Sequence, residues 1–189
     1  IYVLIAFIGS LVFITGYFLF VEILDRTLRD PIRSRRLTGL PVIAAFNGTS
    51  NLKFRGFLRM CNRIAAGYCC RQLNNYLQTG RPTIINLISM EKGEGKSFLT
   101  KYFVEYWKNE EIRVRVVKAG IDFEISNPEY INARRLADFW QRNEAEKDAD
   151  IILVEYPAAS RNSIPLEVLK EADVNLLVAN ACRLWRDSD

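Results

Sequence analysis

Histidine is missing from all 189 residues of this chain. Its absence excludes Ser-His and Cys-His nucleophilic mechanisms within the segment, and it disfavours zinc. Cysteine is sparse and badly spaced for a metal: Cys61, Cys69, Cys70 and Cys182 form no ligand motif, and two of them are adjacent. In a cytoplasmic domain they are expected to be reduced and mostly buried. Charge is missing from residues 1–21, "IYVLIAFIGSLVFITGYFLFV", with Glu22 the first charged residue. At about 1.5 Å per helical residue, such a run spans a bilayer core of roughly 30 Å. It has no basic start and no small-residue cleavage site, so it does not read as a signal peptide. A transmembrane helix over residues 1–22 is expected, with a buried core helix as the alternative. The chain opens on Ile1 rather than Met, and is expected to be a piece of a longer protein.

Acid is scarce in the next stretch. Residues 23–81 carry 11 Lys/Arg against 2 Asp, whereas residues 82–189 carry 15 Lys/Arg against 19 Asp/Glu. The excess begins directly after the apolar run, at Arg26, Arg29, Arg33, Arg35 and Arg36. By the positive-inside rule this side is cytoplasmic, which assigns residues 23–189 to the cytoplasm. The same arginines suit anionic lipid headgroups. Nucleic acid is the competing partner for a basic stretch, but the position beside a membrane helix makes it the weaker reading, and no nucleic-acid partner is expected.

Residues 23–50 mix basic, Pro and Gly residues and read as a juxtamembrane linker, with one helical turn before Pro31. In it "GLPVIAAF" is either a short strand or an anchor. Over residues 51–79, Phe54, Phe57, Leu58, Cys61, Ile64, Ala65, Tyr68, Cys69, Leu73, Tyr76 and Leu77 recur at helical spacing and predict one apolar face, closed by Gly80 and Pro82. That helix either covers a sheet or meets another subunit. Strands and helices then alternate: strands at 83–89, 113–120, 149–157 and 174–181, and helices from Ser97, over 129–147 and over 165–173. Alternation of this kind predicts an α/β domain over 51–189, a mostly parallel sheet with helices on both faces.

Between the first of these strands and its helix lies "MEKGEGKS", residues 90–97. Gly93 and Gly95 allow the backbone to bend and approach a ligand closely. Successive N–H groups then converge on phosphate oxygens at the positive end of the helix. In this setting Lys96 reaches the β- and γ-phosphates of ATP, and the Ser97 hydroxyl ligates Mg²⁺. Gly93, Glu94, Gly95, Lys96, Ser97 and Phe98 are the candidate nucleotide contacts. Met90 stands where the GxxxxGK[ST] pattern begins with glycine. A carboxylate at the end of a neighbouring strand must complete a magnesium site. Glu155 in "ILVEYP" holds that place, one methylene longer than aspartate. Asp122 in "VRVVKAGIDFE" is the second candidate, and Lys118 stands where an acid would be useful. Lys96, Asp122 and Glu155 are therefore the candidate catalytic residues, and Ser97, Glu155 and Asp122 the candidate magnesium ligands. A glycine-rich turn with a solvated lysine is the alternative.

A membrane helix, "TLRDPIRSRRLTGLPVIAAF", "LISMEKGEGKSFL", "VRVVKAGID" and "ADIILVEYP…EADVNLLVANA" together resemble the bacterial polysaccharide co-polymerases. These are chain-length determinant proteins fused to bacterial tyrosine kinases with a P-loop NTPase-like domain. The resemblance covers nearly the whole chain. It implies an inner-membrane protein that controls polysaccharide chain length, forms a homo-oligomer, works with a polymerase and export machinery, and uses ATP and Mg²⁺ for tyrosine autophosphorylation. It assigns Gly93, Gly95, Lys96 and Ser97 to Walker A, Asp122 to the second acidic motif and Glu155 to Walker B. The chain departs from the family pattern in four ways. Glu155 replaces aspartate, and Asp122 is displaced. The stretch between the acidic motifs is short. Of the Glu/Arg/Arg pattern on the preceding helix only Arg71 matches, with Tyr68 and Asn74 at the other places. No tyrosine follows Tyr156. Two other readings stand beside the autokinase: a non-catalytic membrane scaffold, and an ATPase of the MinD/ParA kind.

Overall fold

The apolar, β-branched run of residues 83–89 becomes β1 (Thr83–Ser89), an interior strand with six of its seven residues buried. The computed structural model describes residues 2–48, 54–140 and 148–186. Among the described residues β1 joins β2 (Val114–Lys118), β3 (Ile151–Ala158) and β4 (Val174–Leu177) in one sheet, ordered β2-β3-β1-β4. Every pairing is parallel, as the alternation predicts. The fold is therefore α/β with a parallel sheet.

Side chains alternate between the sheet's faces, and each face has its own core. On one side Ile85, Leu87, Ile151 and Leu153 pack under α3 (Arg55–Leu73) and α4 (Lys96–Asn109), with Phe103 and Trp107 at the centre. On the other, Ile84, Ile152 and Val154 pack under Phe123, Tyr130, Leu136, Trp140 and Val168. That second layer is made of α5 (Pro128–Ile131), a 3-10 turn at Leu136–Asp138 and α6 (Leu166–Glu171).

Of the helix expected over 129–147, the structure forms only α5 at its start and the 3-10 turn at Leu136–Asp138, not one continuous helix; residues 141–147 lie outside the described residues. Acids capture the backbone N–H groups a helix needs. Asp138 accepts from Arg134 and Arg135, both at 2.8 Å, and Glu171 accepts from Leu136 N–H at 2.6 Å. Strands two and four are shorter than expected, and residues 51–53 of the expected 51–79 helix also lie outside the description.

α3 buries Cys69 and Leu73 of the predicted apolar face but leaves its larger members Phe57, Ile64 and Tyr68 outward. Asn62, Ala66, Gly67, Cys69, Cys70 and Leu73 are buried, whereas Phe57, Met60, Ile64 and Tyr68 are exposed. Small residues decide this, because they let α3 lie close to α4: a Cβ on Gly67 would stand 3.3 Å from Tyr106 Cε2. Burial pushes the Cys69 thiol up to about 11 and raises that of Cys70 as well. None of the four cysteines is in a disulfide, and Cys182 is exposed.

The chain divides into two units, Val42–Asn180 and Ile1–Pro41 with Ala181–Asp189. The division falls before the expected 50/51 boundary, and the last residues go with the N-terminal unit. In the larger unit "VIAAF" is an anchor rather than a strand. Ile43, Ala44 and Phe46 pack on the α3–α4 core, and Asn62 holds Asn47 by two hydrogen bonds, accepting from its N–H at 2.7 Å and donating to its C=O at 2.9 Å. In the smaller unit α1 (Tyr2–Leu24) is long and apolar enough to cross a membrane, and none of its residues is buried. The second helix, α2 (Pro31–Thr38), begins at Pro31 instead of ending before it. Proline suits a first helical position, Asp30 caps Arg33 N–H at 2.8 Å, and left-handed Gly39 stops the helix. Arg33 pairs with Glu22 and with Asp25, the latter at 3.0 Å.

Candidate functional site

The chain leaves β1 through α4 toward one edge of the sheet, and leaves β3 through α6 toward the other. α4 contributes to one core and α6 to the opposite one. Adjacent strands whose connections depart to opposite sides open a crevice at their carboxyl ends, the usual ligand position in such sheets. The "MEKGEGKS" loop and Glu155 meet there, because β1 and β3 are neighbours with Leu87 opposite Glu155.

The loop has the backbone of a phosphate cradle. Gly93 and Gly95 are left-handed, with φ of 86° and 102°. Apart from the adjoining residues, no atom lies within 4 Å of where their Cβ would be. Gly95 is the N-cap of α4 and no side chain caps that end, so the first N–H groups of the helix face the loop. Met90 does not have a positive φ, so the backbone there has no need of glycine. Its carbonyl accepts from Ser160 N–H at 3.0 Å, and that of Ser89 from Ala159 N–H at 2.9 Å. The turn after β3 is thus stitched to the loop, and Ser160 Oγ adds a 3.2 Å bond to Glu91 Oε2.

Lys96 folds into the loop and donates to the Ser89 hydroxyl. Burial pushes its ammonium below the usual lysine range, while the carboxylates of Glu94 and Glu155 work against that shift. Ser97 Oγ donates to Glu155 Oε2 at 2.6 Å, joining the first turn of α4 to the end of β3. Glu94 points into the loop as a strut, accepting Glu91 N–H at 3.0 Å. Phe98 packs edge-on against Tyr102, 5.0 Å between centroids, so its ring is engaged along α4 and only its backbone is available at the helix start.

The acids are arranged less simply. Glu155 is buried, and Lys118 Nζ lies 3.2 Å from its Oε1. The contact is ionic and off the hydrogen-bonding direction, which leaves Oε1 without a hydrogen-bond donor among the described residues. Asp122 is engaged elsewhere: Oδ1 accepts from Arg115 at 2.7 Å and Oδ2 from Lys118 N–H at 2.8 Å. Ser97, Glu155 and Lys118 are therefore brought together, while Asp122 builds the turn after β2.

These residues fit a phosphate chain. They do not fit Mg²⁺ as arranged. Ser97 and Glu155 are the groups that would hold it, but an ammonium already faces the open carboxylate oxygen. Among the described residues no group of three or more acids, histidines or cysteines is placed to hold a metal ion. No protein-family model matches the chain, and no curated protein matches it. The functional reading rests on this geometry and on the sequence motifs. Two contributors escaped the motif: Ser89, recognisable only as the last residue of its strand, and Lys118 as the partner of Glu155.

Proposed function

We propose that this chain is a membrane-anchored ATP-binding protein of the polysaccharide co-polymerase kind, with a kinase-like domain on the cytoplasmic face of a bacterial inner membrane. α1 is the anchor, and the basic residues after it set the orientation. The observation that carries the nucleotide reading is the Ser97–Glu155 hydrogen bond beside a lysine-bearing left-handed glycine loop. ATP, when bound, supplies a γ-phosphoryl group. The loop N–H groups and Lys96 hold its phosphates, and Ser97 fixes the first turn of α4 against β3. The exposed stripe of Phe57, Met60, Ile64 and Tyr68 on α3 is the surface we assign to contact between copies.

Saturating ATP is expected to raise the melting temperature of the detergent-solubilised chain by about 5–10 °C through ligand linkage. Lys96→Ala removes the gain. Identical melting with and without millimolar ATP sinks the reading. A second reading, a scaffold that binds ATP without transferring phosphate, is favoured by the lysine at Glu155. Labelled γ-phosphate appearing on tyrosine, and lost in Ser97→Ala, would decide for the kinase.

A further inference from the structure

We propose that the Lys118 ammonium takes the place of the divalent cation at Glu155, so that the loop binds metal-free ATP; this rests on the ATP reading above. Register makes the pairing structural. Lys118 stands directly opposite Glu155 in the parallel β2–β3 ladder, so both side chains emerge on the α4 face. The two Glu155 oxygens then meet different partners: Oε2 receives the Ser97 hydroxyl at 2.6 Å, and Oε1 faces Lys118 Nζ at 3.2 Å.

Asp122 is the positioning residue. It accepts the backbone N–H of Lys118, donates its own N–H to Lys118 C=O at 2.9 Å, and binds Arg115. The carboxylate that would have been a second metal ligand instead fixes the end of β2, from which Lys118 reaches Glu155. Magnesium needs six oxygens in near-octahedral array. Here it would have to expel an ammonium and recruit a carboxylate already held by two donors.

A metal ion at such a site neutralises the acid that faces the phosphates and part of the phosphate charge. Lys118 does the first by its ion pair, and its further N–H groups are free to turn toward a phosphate oxygen. Lys96 and the α4 N-terminus supply the remaining positive potential. Without Lys118, a buried carboxylate would face ATP directly, and only a divalent ion could bridge the two.

Binding of a fluorescent ATP analogue to the full chain in detergent micelles, in excess EDTA and in MgCl₂, tests this. The wild-type dissociation constants are expected to agree within about twofold, while Lys118→Met loses about tenfold or more in EDTA and recovers in Mg²⁺. Lys118→Arg keeps metal-free binding, which guards against a folding defect in the methionine variant. Wild-type binding that weakens about tenfold in EDTA overturns the inference and leaves the ATP site standing. So does a Lys118→Met loss that is equal in both buffers, since the pair would then be structural only. No binding in either buffer overturns the inference and the ATP reading together.

Discussion

The sheet's two faces are covered by different means. Under α3 and α4, two helices of 19 and 14 residues lie close because Ala66, Gly67 and Cys70 are small. Their centre is Trp107, fully buried, edge-on to Phe103 at 5.7 Å, with Nε1 donating to Asn74 Oδ1 at 2.8 Å. Under the opposite face no long helix is described. Phe123, Tyr130, Phe139 and Tyr156 form an aromatic cluster, with Phe123 and Phe139 4.7 Å apart and Phe123 stacked on Tyr130 at 5.3 Å. Short turns and the single-turn α5 carry the first three rings, and β3 carries Tyr156. The first face gets its shape from helix contact, the second from large rings on short elements.

The largest test of this contrast is Trp107→Ala. It empties the centre of the helical face and orphans Asn74, and is expected to cost about 3–5 kcal/mol. That lowers the melting temperature by more than about 6 °C. A loss below about 1 kcal/mol would mean that α4 is not the keystone of that face. Gly67→Leu comes next. The added side chain meets Tyr106 and pushes α3 off α4, at a cost of about 1–3 kcal/mol. If chemical unfolding finds it neutral, the close approach is unimportant. The smallest effect has the opposite sign. The Tyr156 hydroxyl is buried with no hydrogen-bond partner among the described residues, and burial raises its pKa. Tyr156→Phe removes an uncompensated polar group and is expected to stabilise by about 1 kcal/mol. Destabilisation by a similar amount would reveal a partner for that oxygen.

The same contrast separates what could be read in the sequence from what could not. The strands were legible because runs such as "TIINLIS" and "ADIILVEYP" are apolar on both sides, and the α4 start because Gly95 and Lys96 mark it. The 129–147 helix misled because Ala133, Leu136 and Trp140 stand three and four residues apart, a helical spacing, and all three are buried. The carboxylates of Asp138 and Glu171 override that repeat, and Glu171 comes from a distant part of the chain. On α3 hydrophobicity pointed to Phe57 and Ile64, yet close approach chose Ala66 and Gly67. At the site the phosphate half was local, one loop of consecutive residues. The carboxylate half depended on the β2–β3 register, which no motif states, and so the roles of Lys118 and Asp122 stayed hidden.

The Asn62–Asn47 pair has a mechanical consequence. Any load carried along the chain from residue 41 toward the larger unit first meets Ile43, Ala44 and Phe46 and then two backbone hydrogen bonds to one amide. Tension is therefore delivered to α3 and α4, and α4 is the helix whose first turn carries Lys96 and Ser97. A pull on residues 42–47 reaches the side of the rod whose end forms the proposed phosphate loop.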